Sequence, residues 1–529
     1  MHYRKKGKVK KMINVTHGTE KFRDTMFNTT CIGRAYELLR HDLMTDFARL
    51  QSEMHFRYLR CHALFHDDMA VARRKKDGKV AYQWHHIDKF VDNMLSIGLK
   101  PFFELNATPE CMASDKDQRM FAYGANVSNP TDWNEWGDLV RAFTSHMVDR
   151  YGLDEVRTWY FEVWNEPNLR GFWYGTQDEY FTLYKYAAEA VKSVDSLIRI
   201  GGPATAGAAW LDDMIEYCYN NAVPLDFVTT HVYPIGEYCE YPNRKGSPYA
   251  PGDYMPAFVA AAEKVVRESK MPDLEIHWTE WNTQYGKDDG RSITWTNNPT
   301  VDMHFAAASI VKNMLATRNM YDSMAYWVVS DLFEECGCPH SPFSCTYGLM
   351  NIHGIPKASY NAYRFLRKLR GNVMPTETDG APFGCDAFFT EENGISRGIV
   401  WNWKAMEIDD QPDWEDKVRI PVPEEGEYTV TTAAIRRHRG SAYETWISMG
   451  MPQNLSKTQQ EMLEAHSMPE YDFMTVEAKD GYVEVPFMLE PNDVMYIEAE
   501  KKGEVMLPRS IDEDTLARWN DIMTLEEKK

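Results

Sequence analysis

Apolar and polar positions repeat one pattern through roughly the first 370 residues of the chain. A short apolar run ends in polar or aromatic residues, and a stretch with the apolar spacing of an amphipathic helix follows it. The runs are FNTTCIGRA (27–35), FRYLRCHAL (56–64), KPFFELNAT (100–108), WYFEVWNE (159–166), IRIGGPAT (198–205), FVTTHVYP (227–234), LEIHWTEWN (274–282) and SMAYWVVSD (323–331). The helical stretches include 132–151, for which Thr131 or Asp132 is a suitable N-cap, and 178–194.

Eight β–α units predict an α/β protein with a (β/α)₈ TIM barrel over residues 25–371. An open doubly wound sheet is the alternative, and it requires a glycine-rich phosphate loop after an early strand. The nearest match, GGPATAG (201–207), follows the fifth run and lacks the G-x-G-x-x-G spacing. The pattern therefore favours the barrel.

The pattern changes after residue 372. Short β-rich segments, separated by Gly, Pro or charged turns, predict a β-sandwich accessory domain over 372–507, interrupted by one helical stretch at 455–467. A charged tail follows at 508–529. The N-terminal segment, residues 1–24, contains a strand-like stretch at 9–15 that is available to pair with the sandwich.

Charge and composition restrict the class of partner. The formal net charge of −21 disfavours binding to nucleic acid and gives no general attraction for anionic glycans, so a neutral substrate fits best. Aromatic residues make up 13% of the chain, which includes 16 Trp, and such side chains can stack on the apolar faces of sugar rings.

The cysteines and the N-terminal composition predict a cytoplasmic protein. The nine Cys are odd in number and scattered, and several lie in or beside apolar runs, as free thiols of a reducing compartment do. The basic N-terminus lacks the apolar region of a signal peptide. No apolar run approaches the length of a membrane span, so no membrane association is expected.

One cysteine-rich segment resembles a metal motif. Cys336, Cys338 and His340, with Cys345 nearby, offer zinc-type ligands. However, the C-x-C spacing and the location in a single loop differ from the paired C-x₂₋₄-C knuckles of structural zinc sites. The favoured interpretation is a loop of free thiols at the rim of the cleft, with no metal and no cofactor.

Two glutamates lie at the ends of strands that face each other across a barrel. Glu166 ends the fourth run and Glu280 ends the seventh, where TIM barrels carry their chemistry. Glycoside hydrolysis requires such a pair, because one carboxyl group protonates the leaving oxygen and the other attacks C1 and stabilises the oxocarbenium-like transition state. Glu280 lies between Trp278 and Trp281, and Glu166 follows an apolar strand, which is unusual for surface charges.

Longer motifs identify a family resemblance. The chain resembles glycoside hydrolase family 39, the β-xylosidase and α-L-iduronidase family of clan A barrels. The similarity covers most of residues 25–370 in family order, and the sandwich is also similar around SAYETWISMGMP. The motifs are FRYLRCHALFHDDM, FEVWNEPNLRGFW, RIGGPAT, THVYP, HWTEWN, VVSDLFEE and YGLMNIHGIPKASYNAYRFL.

The resemblance implies roles for residues around the carboxylate pair. Glu166 corresponds to the acid/base and Glu280 to the nucleophile of a retaining mechanism that passes through a covalent glycosyl-enzyme. Asn165 would hydrogen-bond to the sugar 2-hydroxyl. His231 and Tyr233 would flank the nucleophile, and the tyrosine hydroxyl would donate to Glu280.

It also implies contacts with the sugar itself. His62 would reach the sugar hydroxyls, and Trp327 would form the apolar floor of the −1 subsite. Glu334 would accept hydroxyl protons there, although alternation along a loop does not distinguish it from Glu335. Tyr285 is a further substrate-binding candidate in the less similar segment that follows HWTEWN.

The expected activity is that of an exo-acting β-xylosidase that releases xylose from xylo-oligosaccharide ends. An α-L-iduronide, an arabinoside or an exopolysaccharide remains an alternative, because the loop with FSCTYGLM departs from the family pattern. An iduronide requires a cation for its carboxylate, and the candidates are Arg60 and Arg34, with Arg170 somewhat beyond the fourth strand.

Two other classes of protein are considered. A catalytically silent sugar-binding protein is disfavoured by the presence of both carboxylates. An oxidoreductase barrel is disfavoured by acidic segments where a phosphate site would lie. The expected partner is an oligosaccharide or small glycoside, and the sandwich leaves a homo-oligomer possible.

Overall fold

The computed structural model describes residues 12–234, 254–283, 299–335, 337, 339–404 and 410–503. Several predictions fall wholly or partly outside these residues. They concern the substrate contact of Tyr285, the loop thiols Cys336 and Cys338, the beginning of the N-terminal segment, the end of the sandwich range 372–507 and the tail at 508–529.

Eight parallel strands form the first domain and pair with one another in chain order. Val329 N–H, just beyond the eighth strand, donates to the carbonyl of Cys31 on the first at 3.3 Å, so the sheet closes on itself. The predicted (β/α)₈ barrel is confirmed. The strands are β1 Thr29–Arg34, β2 Tyr58–His62, β3 Lys100–Leu105, β4 Tyr160–Val163, β5 Arg199–Ala206, β6 Phe227–Val232, β7 Glu275–Trp281 and β8 Ser323–Tyr326.

A helix follows each strand and buries its apolar stripe against the barrel. Asp132 is the N-cap of α3, where its carboxylate accepts from Asn134 N–H at 2.8 Å, and Thr176 and Glu179 form a capping box at the start of α4. The helices are α1 His41–Met54, α2 His85–Ser96, α3 Trp133–Tyr151, α4 Gln177–Val194, α5 Leu211–Asn221, α6 Tyr254–Arg267, α7 Phe305–Thr317 and α8 Ala358–Leu366.

Short helical turns and two hairpins lie between the main strands and helices or precede them. The helical ones are Leu153–Val156 and the 3₁₀ turns Thr25–Phe27, Ala35–Leu39, Asp67–Met69 and Pro299–Val301. Two small hairpins join Ala72–Arg74 to Val80–Tyr82 and Arg119–Met120 to Ala125–Asn126. The second hairpin lies in the loop between β3 and α3, at the end of the barrel where the strands terminate.

The barrel interior is apolar at one end and charged at the other. Phe102, Tyr160 and Phe227, which lie near the starts of their strands, pack together and close the lower end. Arg60 and Glu280, nearer the strand ends, are buried in the upper half. This division leaves the polar groups facing the end where TIM-barrel chemistry occurs.

The second domain is a β-sandwich, as the sequence predicts. Its apolar core includes Phe389, Val418, Val430 and Ile497, and the helices Tyr443–Ser448 and Lys457–Ser467 accompany the strands. One sheet has the order Asn372–Met374, Cys385–Glu392, Ile395–Asn402, Val494–Lys501, Gly426–Ile435, Glu470–Ala478, and the other has the order Thr376–Glu377, Ile13–Val15, Trp414–Pro421, Tyr482–Leu489.

The N-terminal strand and a buried ion pair join the two domains. Ile13–Val15 pairs with Thr376–Glu377 and with Trp414–Pro421 of the sandwich before the chain enters the barrel. His304, just before α7, places Nδ1 2.8 Å from a carboxylate oxygen of Glu444 in the sandwich. Within the described part of the chain, no helix is both long and apolar enough to cross a membrane.

Candidate active site

Glu166 follows β4 through a sharply turned backbone. Trp164 and Glu166 have φ values of 71° and 43°, in the left-handed region that non-glycine residues seldom occupy outside constrained sites. Glu166 N–H donates to the carbonyl of Ala204 on β5 at 2.8 Å, which fixes the turn. The glutamate is 7% exposed.

Glu280 reaches the barrel interior because β7 has an irregular register. The pairing with the neighbouring strands shifts between Trp278 and Trp281, as at a β-bulge. Both tryptophans belong to the main apolar core, whereas Thr279 donates to Glu162 in the barrel interior and Glu280 is 4% exposed. Strict alternation along the strand would not place Thr279 and Glu280 together in the interior.

The two candidate carboxylates lie close together across the barrel. One carboxylate oxygen of each, together with a ring nitrogen of His231, lies within 4.8 Å of the others. Retaining glycosidases hold their carboxyl groups about 5–5.5 Å apart, whereas inverting enzymes separate them by about 6.5–9.5 Å. The spacing fits direct attack on the sugar by one carboxylate.

Glu280 is held in its ionised form by its surroundings. Burial raises the pKa of its carboxyl group, but the charges of His231, Arg60 and His62 and the hydroxyl of Tyr233 outweigh burial, and the pKa lies below its usual value. Arg60 Nη1 lies 2.8 Å and Tyr233 Oη 2.7 Å from the carboxylate. His62 Nε2 and His231 Nδ1 lie at 3.4 Å and 3.6 Å.

Arg60 links the acidic groups beneath the cleft. This side chain of β2 is fully buried. It contacts Glu162 at 2.5 Å, Glu104 at 2.7 Å and Glu280 at 2.8 Å, and it donates to Asn165 Oδ1 at 2.9 Å. The sequence identified Arg60 only as a possible partner for a sugar carboxylate, but its guanidinium pairs with carboxylates of the protein itself. The sequence did carry a signal for this structural role, namely a charged residue in the middle of an apolar barrel strand.

His62 connects this network to a further carboxylate, that of Glu335. His62 Nδ1 lies 2.7 Å from Glu104, and its Nε2 lies 3.6 Å from Glu335. Burial lowers the pKa of His62, but Glu104 above all reverses the effect and raises the pKa to about 10. Burial raises the pKa of Glu335 to about 7, although His62 opposes the shift.

The structure brings Glu335 to the site in place of the expected Glu334. The Glu334 carboxylate forms ion pairs with Arg34 and with Arg40 Nη1, the latter at 2.6 Å. Arg34 also pairs with Asp68. The loop therefore directs its two adjacent glutamates in different directions, and the arginine pair captures Glu334.

The other predicted site residues lie around the carboxylate pair. Trp327 is buried, with its ring centroid 4.4 Å from that of His62. Arg60 occupies Asn165 Oδ1, and the Nδ2 group of Asn165 has no hydrogen-bond partner among the described residues. His231 Nδ1 lies 2.9 Å from Glu166 Oε1.

The fold and this buried carboxylate pair are those of a glycoside hydrolase. The family described as Glycosyl hydrolases family 39 matches residues 9–484. The chain is 35% identical over 456 residues to a β-xylosidase of Caldicellulosiruptor saccharolyticus, which covers 85% of this chain and 90% of that protein. It is 33% identical over 505 residues to a β-xylosidase of Geobacillus stearothermophilus, which covers 93% and 96%.

A solved structure supports the same assignment. The GH39 enzyme from Xanthomonas axonopodis pv. citri has a TM-score of 0.82 at 30% identity, covering 93% of this chain and 98% of that one. The chain belongs to glycosyl hydrolases family 39, and it is an O-glycosyl hydrolase that acts on carbohydrate.

Proposed function

We propose that the protein is a retaining, exo-acting β-xylosidase, with Glu280 as the nucleophile and Glu166 as the acid/base. The observation that carries the proposal is the short separation of the two carboxylates, combined with the groups that keep Glu280 ionised. The β-xylosidases among its relatives support the choice of sugar.

The first step forms the glycosyl-enzyme. A Glu280 oxygen bonds to C1 of the xylosyl group as the C1–O bond to the leaving group breaks, and Glu166 gives its proton to the departing oxygen. His231 holds Glu166 Oε1 at 2.9 Å, which leaves Oε2 to transfer the proton. Asn165 Nδ2 donates to the 2-hydroxyl, a contact that strengthens in the transition state.

The second step releases the sugar with retained configuration. Glu166, now a carboxylate, removes a proton from water, and the water oxygen bonds to C1 as the bond to Glu280 breaks. Arg60 and Tyr233 stabilise the carboxylate that departs, because both donate to it in the free enzyme.

A neutral sugar fits the charges of the site. Three carboxylates surround Arg60, and Glu334 and Asp68 engage Arg34, so both arginines are occupied by protein groups. Glu335 adds a further acidic group beside His62. A uronic acid would have to bring its own carboxylate into this acidic environment, which disfavours the iduronide alternative.

The hairpin between β3 and α3 supports exo action. Its tip residue Phe121 stacks on the ring of His62 with centroids 5.9 Å apart, and Ala122 N–H donates to the carbonyl of Glu335 at 2.6 Å. The hairpin, which lies in the loop after β3, therefore contacts the loop after β8. It covers the side of the cleft where His62 and Glu335 would hold the terminal sugar.

Hydrolysis of a panel of aryl glycosides tests the proposal. We expect rapid release from aryl β-D-xyloside, much slower release from aryl α-L-arabinofuranoside, and none from aryl α-L-iduronide. Xylotriose should yield xylose from its non-reducing end as the first monosaccharide. Preferred cleavage of the iduronide or of internal linkages in long xylans would contradict the assignment. Binding of xylo-oligosaccharides without hydrolysis would establish the silent sugar-binding alternative.

A further inference from the structure

We propose that Phe172 forms an aromatic platform for the sugar on the leaving-group side of the scissile bond, the +1 subsite. The same platform would position an acceptor sugar when the glycosyl-enzyme transfers its xylosyl group to a hydroxyl instead of to water. The inference rests on the proposed retaining β-xylosidase activity.

Phe172 lies on the loop that carries the candidate acid. Leu169 N–H donates to the carbonyl of Glu166, and Phe172 N–H donates to the carbonyl of Leu169, each at 2.9 Å. Two successive turns therefore lead from the acid to the phenylalanine. The leaving oxygen must approach Glu166 during catalysis, so this loop borders the leaving-group side of the cleft.

The Phe172 ring continues an aromatic surface that begins at the sugar-binding end. Its centroid lies 5.3 Å from that of Phe121, in an edge-to-face arrangement at 75°. Phe121 in turn stacks on His62 at 19°, with centroids 5.9 Å apart. An aromatic surface thus leads from the residues around Glu280 to the loop of Glu166.

The position of Phe172 is fixed by buried neighbours. Trp164 Nε1 donates to the carbonyl of Phe172 at 2.8 Å, and the rings of Trp164 and Trp173 meet with centroids 4.9 Å apart. Both tryptophans belong to the barrel core, but Phe172 is half-buried and, within the described residues, lies outside every apolar cluster. The backbone of Phe172 is therefore fixed by a buried neighbour, whereas its ring is not needed to fill the core.

Transfer to an acceptor isolates the contribution of this ring. The acceptor oxygen bonds to C1 as the bond from C1 to Glu280 breaks, and Glu166 takes the hydroxyl proton. Because water and the acceptor compete for one intermediate, the ratio of transfer to hydrolysis reports binding at the +1 subsite alone. β-D-Xylosyl fluoride is a suitable donor, since fluoride is too small to stack on an aromatic ring.

The experiment compares Phe172→Ala, Phe172→Leu and Phe172→Tyr with the parent enzyme, with xylosyl fluoride as donor and xylobiose as acceptor. We expect Phe172→Ala and Phe172→Leu to lower the transfer-to-hydrolysis ratio about fivefold to tenfold, in line with the loss of one stacking contact. Phe172→Tyr, which keeps the ring, should retain the parental ratio.

Phe473→Ala is the matched control, because Phe473 is 72% exposed on a sandwich strand. It should leave the ratio unchanged. Unchanged ratios in Phe172→Leu and Phe172→Ala would overturn the platform, as would an equal loss in Phe172→Tyr. Phe172→Leu keeps an apolar side chain and decides the question even if Phe172→Ala does not fold. A parent enzyme that fails to hydrolyse xylosyl fluoride would refute the proposed function instead.

Discussion

Replacing Glu280 with alanine is expected to lower kcat for aryl β-xylosides by at least about 10⁴-fold. The variant lacks the carboxylate that bonds to C1, and no other carboxylate described at the site combines its short distance to Glu166 with direct donation from Arg60 and Tyr233. The measurement is steady-state hydrolysis of 2,4-dinitrophenyl β-xyloside, which needs little acid assistance.

Sodium azide distinguishes loss of the nucleophile from loss of the fold. In the Glu280→Ala variant, azide can enter the space of the missing carboxylate and attack C1 once, so the product should be the α-xylosyl azide. Arg60 keeps its contacts with Glu104 and Glu162 in this variant, which should preserve the barrel. Glu415→Ala, at an exposed sandwich position, is the matched control and should retain full activity. Near-parental activity of Glu280→Ala would exclude its role.

Replacing Glu166 with alanine is expected to give a loss that depends on the leaving group. For xylobiose, kcat/KM should fall by about 10²–10⁴-fold, because the poor leaving group needs a proton. For 2,4-dinitrophenyl β-xyloside, kcat/KM should change by less than about tenfold, since that leaving group departs as a stable anion. The comparison of the two substrates is the measurement.

The second step in the Glu166 variant should also be slow, because water has lost its base. Dinitrophenolate should then appear in a burst, and azide should accelerate turnover and give the β-xylosyl azide. The opposite configuration of the azide products from the two variants separates the two roles. An equal loss on both substrates, without a burst, would contradict the acid/base assignment of Glu166.

The barrel was predictable because each strand is a compact apolar run and each helix has its own apolar stripe. All eight predicted strands occur, from FNTTCIGRA as Thr29–Arg34 to SMAYWVVSD as Ser323–Tyr326. Their ends differ by a few residues, because the runs continue into loops that stay buried around the cleft. Trp327, for example, is buried although β8 ends at Tyr326.

The placement of the carboxylates followed from strand order, but their precise surroundings did not. The register shift in β7 that brings Thr279 and Glu280 together depends on pairing with both neighbours, which periodicity does not encode. Glu335 reaches His62 because Arg34, at the end of β1, and Arg40, in the loop that follows, capture Glu334. Such contacts are distant in sequence, and an isolated loop motif carries no signal for them.

The aromatic contacts around the cleft could not be predicted from the sequence either. Phe121 lies in a hairpin that a barrel pattern treats as an ordinary loop, yet its ring stacks on His62. In the sequence, Phe172 is one residue of the motif FEVWNEPNLRGFW and has no feature that distinguishes it. Its exposure and its contact with Phe121 emerge only when the loops after β3 and β4 are placed side by side.

Covalent trapping is the most direct test of the central claim, that Glu280 attacks the sugar. A 2-deoxy-2-fluoro-β-xyloside with a dinitrophenyl leaving group should inactivate the enzyme, because the fluorine slows both steps and the activated leaving group restores the rate of the first step only. Mass spectrometry should then show one added 2-fluoroxylosyl group per chain, located on the peptide that contains Glu280. A label on Glu166 or Glu335, or hydrolysis with inversion and no label, would contradict the account.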